Sequence, residues 1–183
     1  MGGTAEYYDR LATGFADVIA AVPDDRWSGP SPCEGWTALD VVGHVVETQG
    51  MFLGLVGRPF DGIPPVASGP GAAWDAARAT VLADLNDPGR AGTGFDGFFG
   101  RTTFAAAVER FLCFDLVLHR WDLCCSTGQD ERLDPGDVRW VRTTADGFGE
   151  HLRGGKGFGP ALDAPEGADE QTRLLAFLGR RSW

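Results

Sequence analysis

Lysine occurs once in this chain, at Lys156, and histidine only three times, at His44, His119 and His151. With a formal net charge of −10 and scattered arginines, no concentrated basic surface can be built, and nucleic acid is excluded as an expected partner. Long hydrophobic runs are missing too. The apolar stretches are short and broken by charge or glycine, so no transmembrane helix is expected. The first residues, MGGTAEYYDRLATGF, lack a basic region followed by an apolar core; no signal peptide is expected, and the cytoplasm is the expected location. Cysteine is sparse, with four residues and neither a C-x-x-C pair nor a zinc-finger spacing. Cys124 and Cys125 are adjacent and Cys113 lies in the same predicted helix, so pairings among them are geometrically poor and reduced thiols are expected. Strand patterns are also scarce.

What is present is helical periodicity. At 183 residues the chain is long enough to bury one full core, and a single domain spanning residues 1–183 is expected. Tyr8, Leu11, Phe15, Val18 and Ile19 place an amphipathic helix over about 4–21. After the proline- and glycine-punctuated 23-PDDRWSGPSPCEGW-36, Thr37 with Asp40 resembles a capping box, and a second helix runs over about 37–57 to Gly57. An alanine-rich helix covers about 72–85. The glycine- and phenylalanine-rich 86-NDPGRAGTGFDGFFGR-101 reads as a long ordered loop packed by its aromatics. A fourth core helix spans about 103–126, closed by Gly128. An extra helix over about 135–152 begins at Asp134-Pro135 and is followed by an irregular tail with one short helix near 170–178. The fold class is all-α, a four-helix bundle with an additional C-terminal helix.

The fourth core helix poses the question. Its segment 111-FLCFDLVLHRWDLCC-125 is apolar on nearly every side, yet Asp115, His119 and Asp122 line up along it at spacings of four and three. On the second helix, His44 sits among valines in 41-VVGHVV-46. An unpaired carboxylate in such surroundings is costly, so it must find a partner or hold a proton. A divalent metal would satisfy His44, Asp115 and His119 together, and three protein ligands would leave open positions for water or substrate. A buried Asp115–His119 ion pair without metal remains the alternative. Asp122 fits better as a hydrogen-bond partner of a ligand's second nitrogen than as a ligand itself. Cys33 precedes a helix N-terminus, where a thiolate is favoured, but its Pro-Cys turn reads first as a packing feature, with pocket lining as the alternative. Trp36 and Trp121 read as core residues, with pocket lining as the alternative. Glu47 and His151 read as solvated surface.

The segments 30-PSPCEGWTALDVVGHVV-46, 115-DLVLHRWDLCCSTGQ-129 and 174-LLAFLGRRSW-183 resemble bacterial metal-binding proteins related to the N-terminal domain of mycothiol-dependent maleylpyruvate isomerase, within the DinB-like superfamily of four-helix bundles. The resemblance implies a metal held by a second-helix histidine and by an acidic residue and a histidine one turn apart on a later helix. These positions correspond to His44, Asp115 and His119. It further implies mycothiol as a cosubstrate, with the metal presenting its thiolate to an electrophile, so the expected partners are a small-molecule thiol and an electrophilic substrate. The isomerase has a further C-terminal domain, whereas here about thirty residues follow the last long helix, so maleylpyruvate isomerisation itself is not expected. Zinc is the expected ion. Nickel, iron and manganese are alternatives, and a two-histidine, one-carboxylate set also fits non-haem iron. A metal-dependent thiol S-transferase or isomerase is one functional reading; a non-catalytic metal-containing binding or stress-associated protein is the other. Related bundles often pair as dimers, so the resemblance leaves a homodimer open, while the sequence itself does not fix the oligomeric state.

Overall fold

A computed structural model describes residues 3–153 and 158–183. Four helices make the bundle: α1 (Thr4–Ala20), α2 (Ala38–Leu55), α3 (Pro70–Leu85) and a long helix over 104–127. The long helix consists of α5 (Phe104–Ala107), a π-helical stretch Val108–Cys113 and α6 (Phe114–Thr127). Helices α1 and α2 each pack against both α3 and α6, so the two pairs stand diagonally across the core. This is the all-α DinB-like architecture expected from the sequence. Beyond it, α7 (Pro135–Phe148) packs on α6, and α8 (Glu170–Phe177) packs on α7. No helix among the described residues is long and apolar enough to cross a membrane.

The core is filled by the residues whose periodicity defined the helices, including Tyr8, Phe15, Val41, Val45, Trp74, Leu112 and Leu116, all at most 1 % exposed. Two buried polar pairs tie its helices together. The Tyr8 hydroxyl donates to Gln49 Oε1 at 2.8 Å across the bundle diagonal, and Trp74 Nε1 donates to the Ala12 carbonyl at 3.1 Å. Thr37 and Asp40 form both halves of the capping box, fixing where α2 starts. Gly128 closes α6 at φ 74°, a left-handed conformation that glycine adopts without a Cβ penalty.

Two elements differ from the sequence expectation. The stretch 86–101 is not simply loop: it contains the short helix α4 (Pro88–Ala91), and β1 (Gly94–Gly97) pairs antiparallel with β2 (Gly100–Thr103). Gly94, Gly97 and Gly100 hid the strand pattern, because a strand is recognised by the side chains that glycine lacks. The extra helix ends at Phe148 rather than near 152; Gly149 turns the chain into a 3₁₀ segment reaching Arg153.

Candidate metal centre

The site lies where α6 packs on α2, and three pieces of local chemistry build it. First, the π-helical stretch ends at Cys113, two residues before Asp115, and resets the helical register in the turn preceding the polar row. Such insertions are frequent at functional sites. Second, the loop ahead of α2 is pinned tightly. Trp36 N donates to the Cys33 carbonyl at 3.0 Å, Ser31 N donates to the Trp36 carbonyl at 2.8 Å, and Gly35 takes φ 78° at the third turn position. That turn brings Cys33 and Trp36 over the polar row. Third, Arg180, just past the end of α8, reaches back onto α6.

Within this frame His44, Asp115 and His119 each offer a donor atom, and the three atoms lie within 4.8 Å of one another. His44 Nε2 is 3.9 Å from Asp115 Oδ2. Donors that share one ion at about 2.1 Å must sit roughly 3–3.5 Å apart, so the set is slightly expanded and small side-chain rotations would close it. Among the described residues no hydrogen-bond donor reaches the Asp115 carboxylate, leaving it available as a ligand. Two neutral nitrogens and one carboxylate oxygen form a donor set that suits a divalent ion, and the residues fit one.

The three ligand candidates are unequally buried. His119 is 7 % exposed, while the His44 and Asp115 side chains keep 37 % and 28 % of their surface. The sequence pattern placed all three on core-facing sides; only His119 is truly inside, and the other two form an opening to solvent. The Trp36 ring packs on both imidazoles, with centroids 4.9 Å from His44 and 6.1 Å from His119, which limits how far either can swing.

Asp122 organises the buried end. Fully buried, it takes the His119 Nδ1 hydrogen bond at 2.9 Å on Oδ2, which leaves Nε2 as the free donor atom of that ring. The Arg180 guanidinium grips the same carboxylate, Nε to Oδ1 and Nη2 to Oδ2, both at 2.8 Å. The Cys33 thiol donates to Asp122 Oδ2 at 3.4 Å, and Arg180 Nη2 lies 3.7 Å from its sulfur. Cys33, His119 and Asp122 thus form a second close cluster that shares His119 with the first.

Protonation follows from these contacts. Burial, reinforced by neighbouring His119, pushes His44 down to about 4, so it is neutral with a lone pair free at ordinary pH. Burial alone would push His119 down as well. The hydrogen bonds to Asp122 and Cys33 and the nearby carboxylates outweigh it, and His119 rises to about 9 in the metal-free chain. Burial disfavours the Asp122 anion, but the Arg180 charge and the His119 and Arg180 hydrogen bonds hold it well below the usual carboxylate range. Burial raises Asp115, with His119 and Arg180 pulling the other way.

The remaining candidates fall outside this group or at its edge. Trp121 is 1 % exposed, and its indole N–H finds no partner among the described residues. Glu47 and His151 are exposed, and His151 packs edge-on against Phe98 and Phe99. All four cysteines are free thiols. Sequence reasoning assigned no role to Arg180. The available signal was the Leu-Gly-Arg sequence closing an apolar helix, because a glycine at that position fixes the direction in which the next side chain leaves.

The family model of the mycothiol maleylpyruvate isomerase N-terminal domain matches residues 8–124, from the middle of α1 through most of α6. The chain belongs to this family. Two proteins of Mycobacterium tuberculosis, Rv0738 of strain H37Rv and MT0763 of strain CDC 1551, both described as uncharacterized, are each 31 % identical to it over 176 residues. Each of those alignments covers 94 % of this chain and 95 % of the relative. No solved structure matches the chain. The matched span contains His44, Asp115, His119 and Asp122 but stops well short of Arg180.

Proposed function

We propose that this chain is a divalent-metal protein that activates a small thiol, mycothiol where the cell makes it, for S-transfer or isomerisation of an electrophilic substrate. The observation that carries the reading is the convergence of His44, Asp115 and His119 at a solvent-open rim, with His119 already oriented by a buried carboxylate. These three residues would hold the ion, with zinc the first choice. A bound divalent ion would supply Lewis acidity, lowering the pKa of a thiol so that it stays a thiolate at neutral pH.

The chain's own residues do the rest. His44 and His119 offer imidazole nitrogens from two different helices, so the donor set is fixed by the α2–α6 packing rather than by a loop. Trp36 restrains both rings and walls one side of the opening. The exposed faces of His44 and Asp115 leave a path by which a thiol and an electrophile can reach the donors. A sealed donor set would have favoured a metal-containing protein without turnover; this exposure favours the catalytic reading. Family membership supports a mycothiol-related role.

The test is metal content of protein purified without a nickel column, with wild type and His119→Ala measured together. About one equivalent in wild type and none in the variant is the expected result, from the three-ligand set sharing one ion. It would be followed by a screen of thiols and electrophiles. If neither protein carries metal, and added zinc raises neither melting temperature, the polar row is an ion-pair network and the proposal fails.

A further inference from the structure

We propose that Arg180 is a positioning residue of this centre: by holding both oxygens of Asp122 it fixes the plane of the carboxylate that orients His119. The inference rests on the metal reading above and extends the site to a part of the chain that the family match does not reach. Three buried groups form an unbroken line, Arg180 at 6 % exposure, Asp122 at 0 % and His119 at 7 %. Every link is a charge-assisted hydrogen bond of 2.8–2.9 Å.

The geometry of the helix end explains how Arg180 comes to face α6. At the close of α8, Gly179 N donates to the Ala176 carbonyl at 3.0 Å and Arg180 N donates to the Leu175 carbonyl at 2.8 Å. Gly179 sits at φ 79°. This pair of reversed bonds around a left-handed glycine is the Schellman closure, and it turns the chain so that the next side chain points back across the helix end. A Cβ on Gly179 would lie 3.1 Å from the Pro160 carbonyl oxygen, so the tail is also held from its outer side. The guanidinium rests over the Phe158 ring at 5.5 Å, a further restraint on its rotation.

A buried ion pair is by itself weak evidence for a stabilising role, because desolvation offsets most of the attraction. What distinguishes this one is its shape. A guanidinium fork holds a carboxylate at two points, whereas a single contact would leave it free to rotate. Oδ2, the oxygen facing His119, also accepts from Arg180 Nη2, so the direction offered to Nδ1 is set from the far side.

Zinc affinity of Arg180→Gln and Arg180→Lys, measured by chelator competition, tests this together with the His119 Nδ1–H signal of histidine-labelled, metal-free protein. Arg180→Gln is expected to bind zinc about 10–100-fold more weakly, with its far-ultraviolet circular dichroism unchanged. Arg180→Lys, which keeps the charge but not the fork, is expected to recover only part of the loss. Adding Arg180→Gln to Asp122→Asn should cost nothing further, since the arginine acts through that carboxylate. Wild-type affinity and an unmoved His119 signal in Arg180→Gln would overturn the inference while leaving the metal reading intact. If wild type binds no zinc, the metal reading falls and the His119 signal alone decides: displaced in Arg180→Gln it supports the positioning role, unmoved it refutes it. Should the glutamine variant not fold, Arg180→Lys carries the same two measurements, and its equality with wild type in both would refute the role.

Discussion

Zinc binding to this chain should expel a proton, and its affinity should climb with pH. In the metal-free protein His119 sits at about 9, because the contacts of Asp122 and Cys33 and the nearby carboxylates outweigh burial. At neutral pH that ring carries protons on both nitrogens, and the one on Nε2 must leave before a metal can bind there. His44, at about 4, is already neutral and contributes nothing in this range. Below the His119 value each pH unit therefore changes the apparent affinity about tenfold, corresponding to ~1.4 kcal/mol per unit. Between pH 6.5 and pH 8.5 the dissociation constant should tighten about 100-fold, and it should level off near pH 9. Titration calorimetry in buffers of different ionisation enthalpy should give close to one proton released per zinc at pH 7, and chelator competition across the window gives the slope. Asp122→Asn keeps an acceptor for Nδ1 but removes its charge, so the slope should flatten in the upper half of the window. An affinity independent of pH from 6.5 to 8.5, with no buffer dependence of the heat, would falsify the protonated resting state inferred for His119.

The same two histidines set the stability of the metal-free chain. A raised His119 contributes stability that is fully present below its unfolded value near 6.5 and is lost as pH rises through about 9, a loss of order 3 kcal/mol for a ring this buried. The lowered His44 acts at the other end, its contribution present above 6.5 and lost as pH falls through about 4. Melting temperature in the presence of chelator should therefore peak near pH 6.5; a curve still rising at pH 9 would contradict this. Gly179→Ala forces a Cβ onto a left-handed residue and against the Pro160 carbonyl, so it should cost about 1 kcal/mol or more in denaturant unfolding. It should also weaken zinc binding by disturbing Arg180, and wild-type affinity in that variant would argue against the role of the helix end. Tyr8→Phe leaves Gln49 Oε1 without its buried donor and should cost about 1–3 kcal/mol with no change in zinc affinity.

The bundle was legible because its helices carry their own signals. Tyr8, Leu11 and Phe15 mark one face of α1, Thr37 and Asp40 announce the start of α2, and Gly128 announces the end of α6. The polar row on α6 was legible for the opposite reason, since Asp115, His119 and Asp122 interrupt an apolar pattern that gives them no local excuse. Periodicity could not show how deep each of them sits. A helical wheel places His44 and His119 alike, yet exposure depends on where the neighbouring helix and loop stop, and only one of the two rings is covered. The hairpin at 94–103 escaped because its glycines carry no side chains to alternate. Arg180 escaped because it is 58 residues from Asp122 and its direction is set by a helix end rather than by any pattern of its own.

The charges at the centre would let one arrangement serve both with and without the proposed ion. With Asp115 ionised, Arg180 and protonated His119 carry two positive charges against the two negative charges of Asp115 and Asp122, so the cluster balances. The proton on His119 stands where a metal would otherwise balance Asp115. Exchanging that proton for a divalent ion leaves the cluster with one net positive charge in surroundings where an uncompensated charge is expensive. A single thiolate restores neutrality; a neutral ligand does not, and a dianion overshoots. If the proposed ion binds there, this balance would favour one monoanionic donor at the open side, beside His44 and Asp115. It would also tie that preference to Arg180, because without the guanidinium Asp122 would lose its counter-charge and the same ion would leave the cluster already neutral, with no electrostatic reason to prefer a thiolate over water.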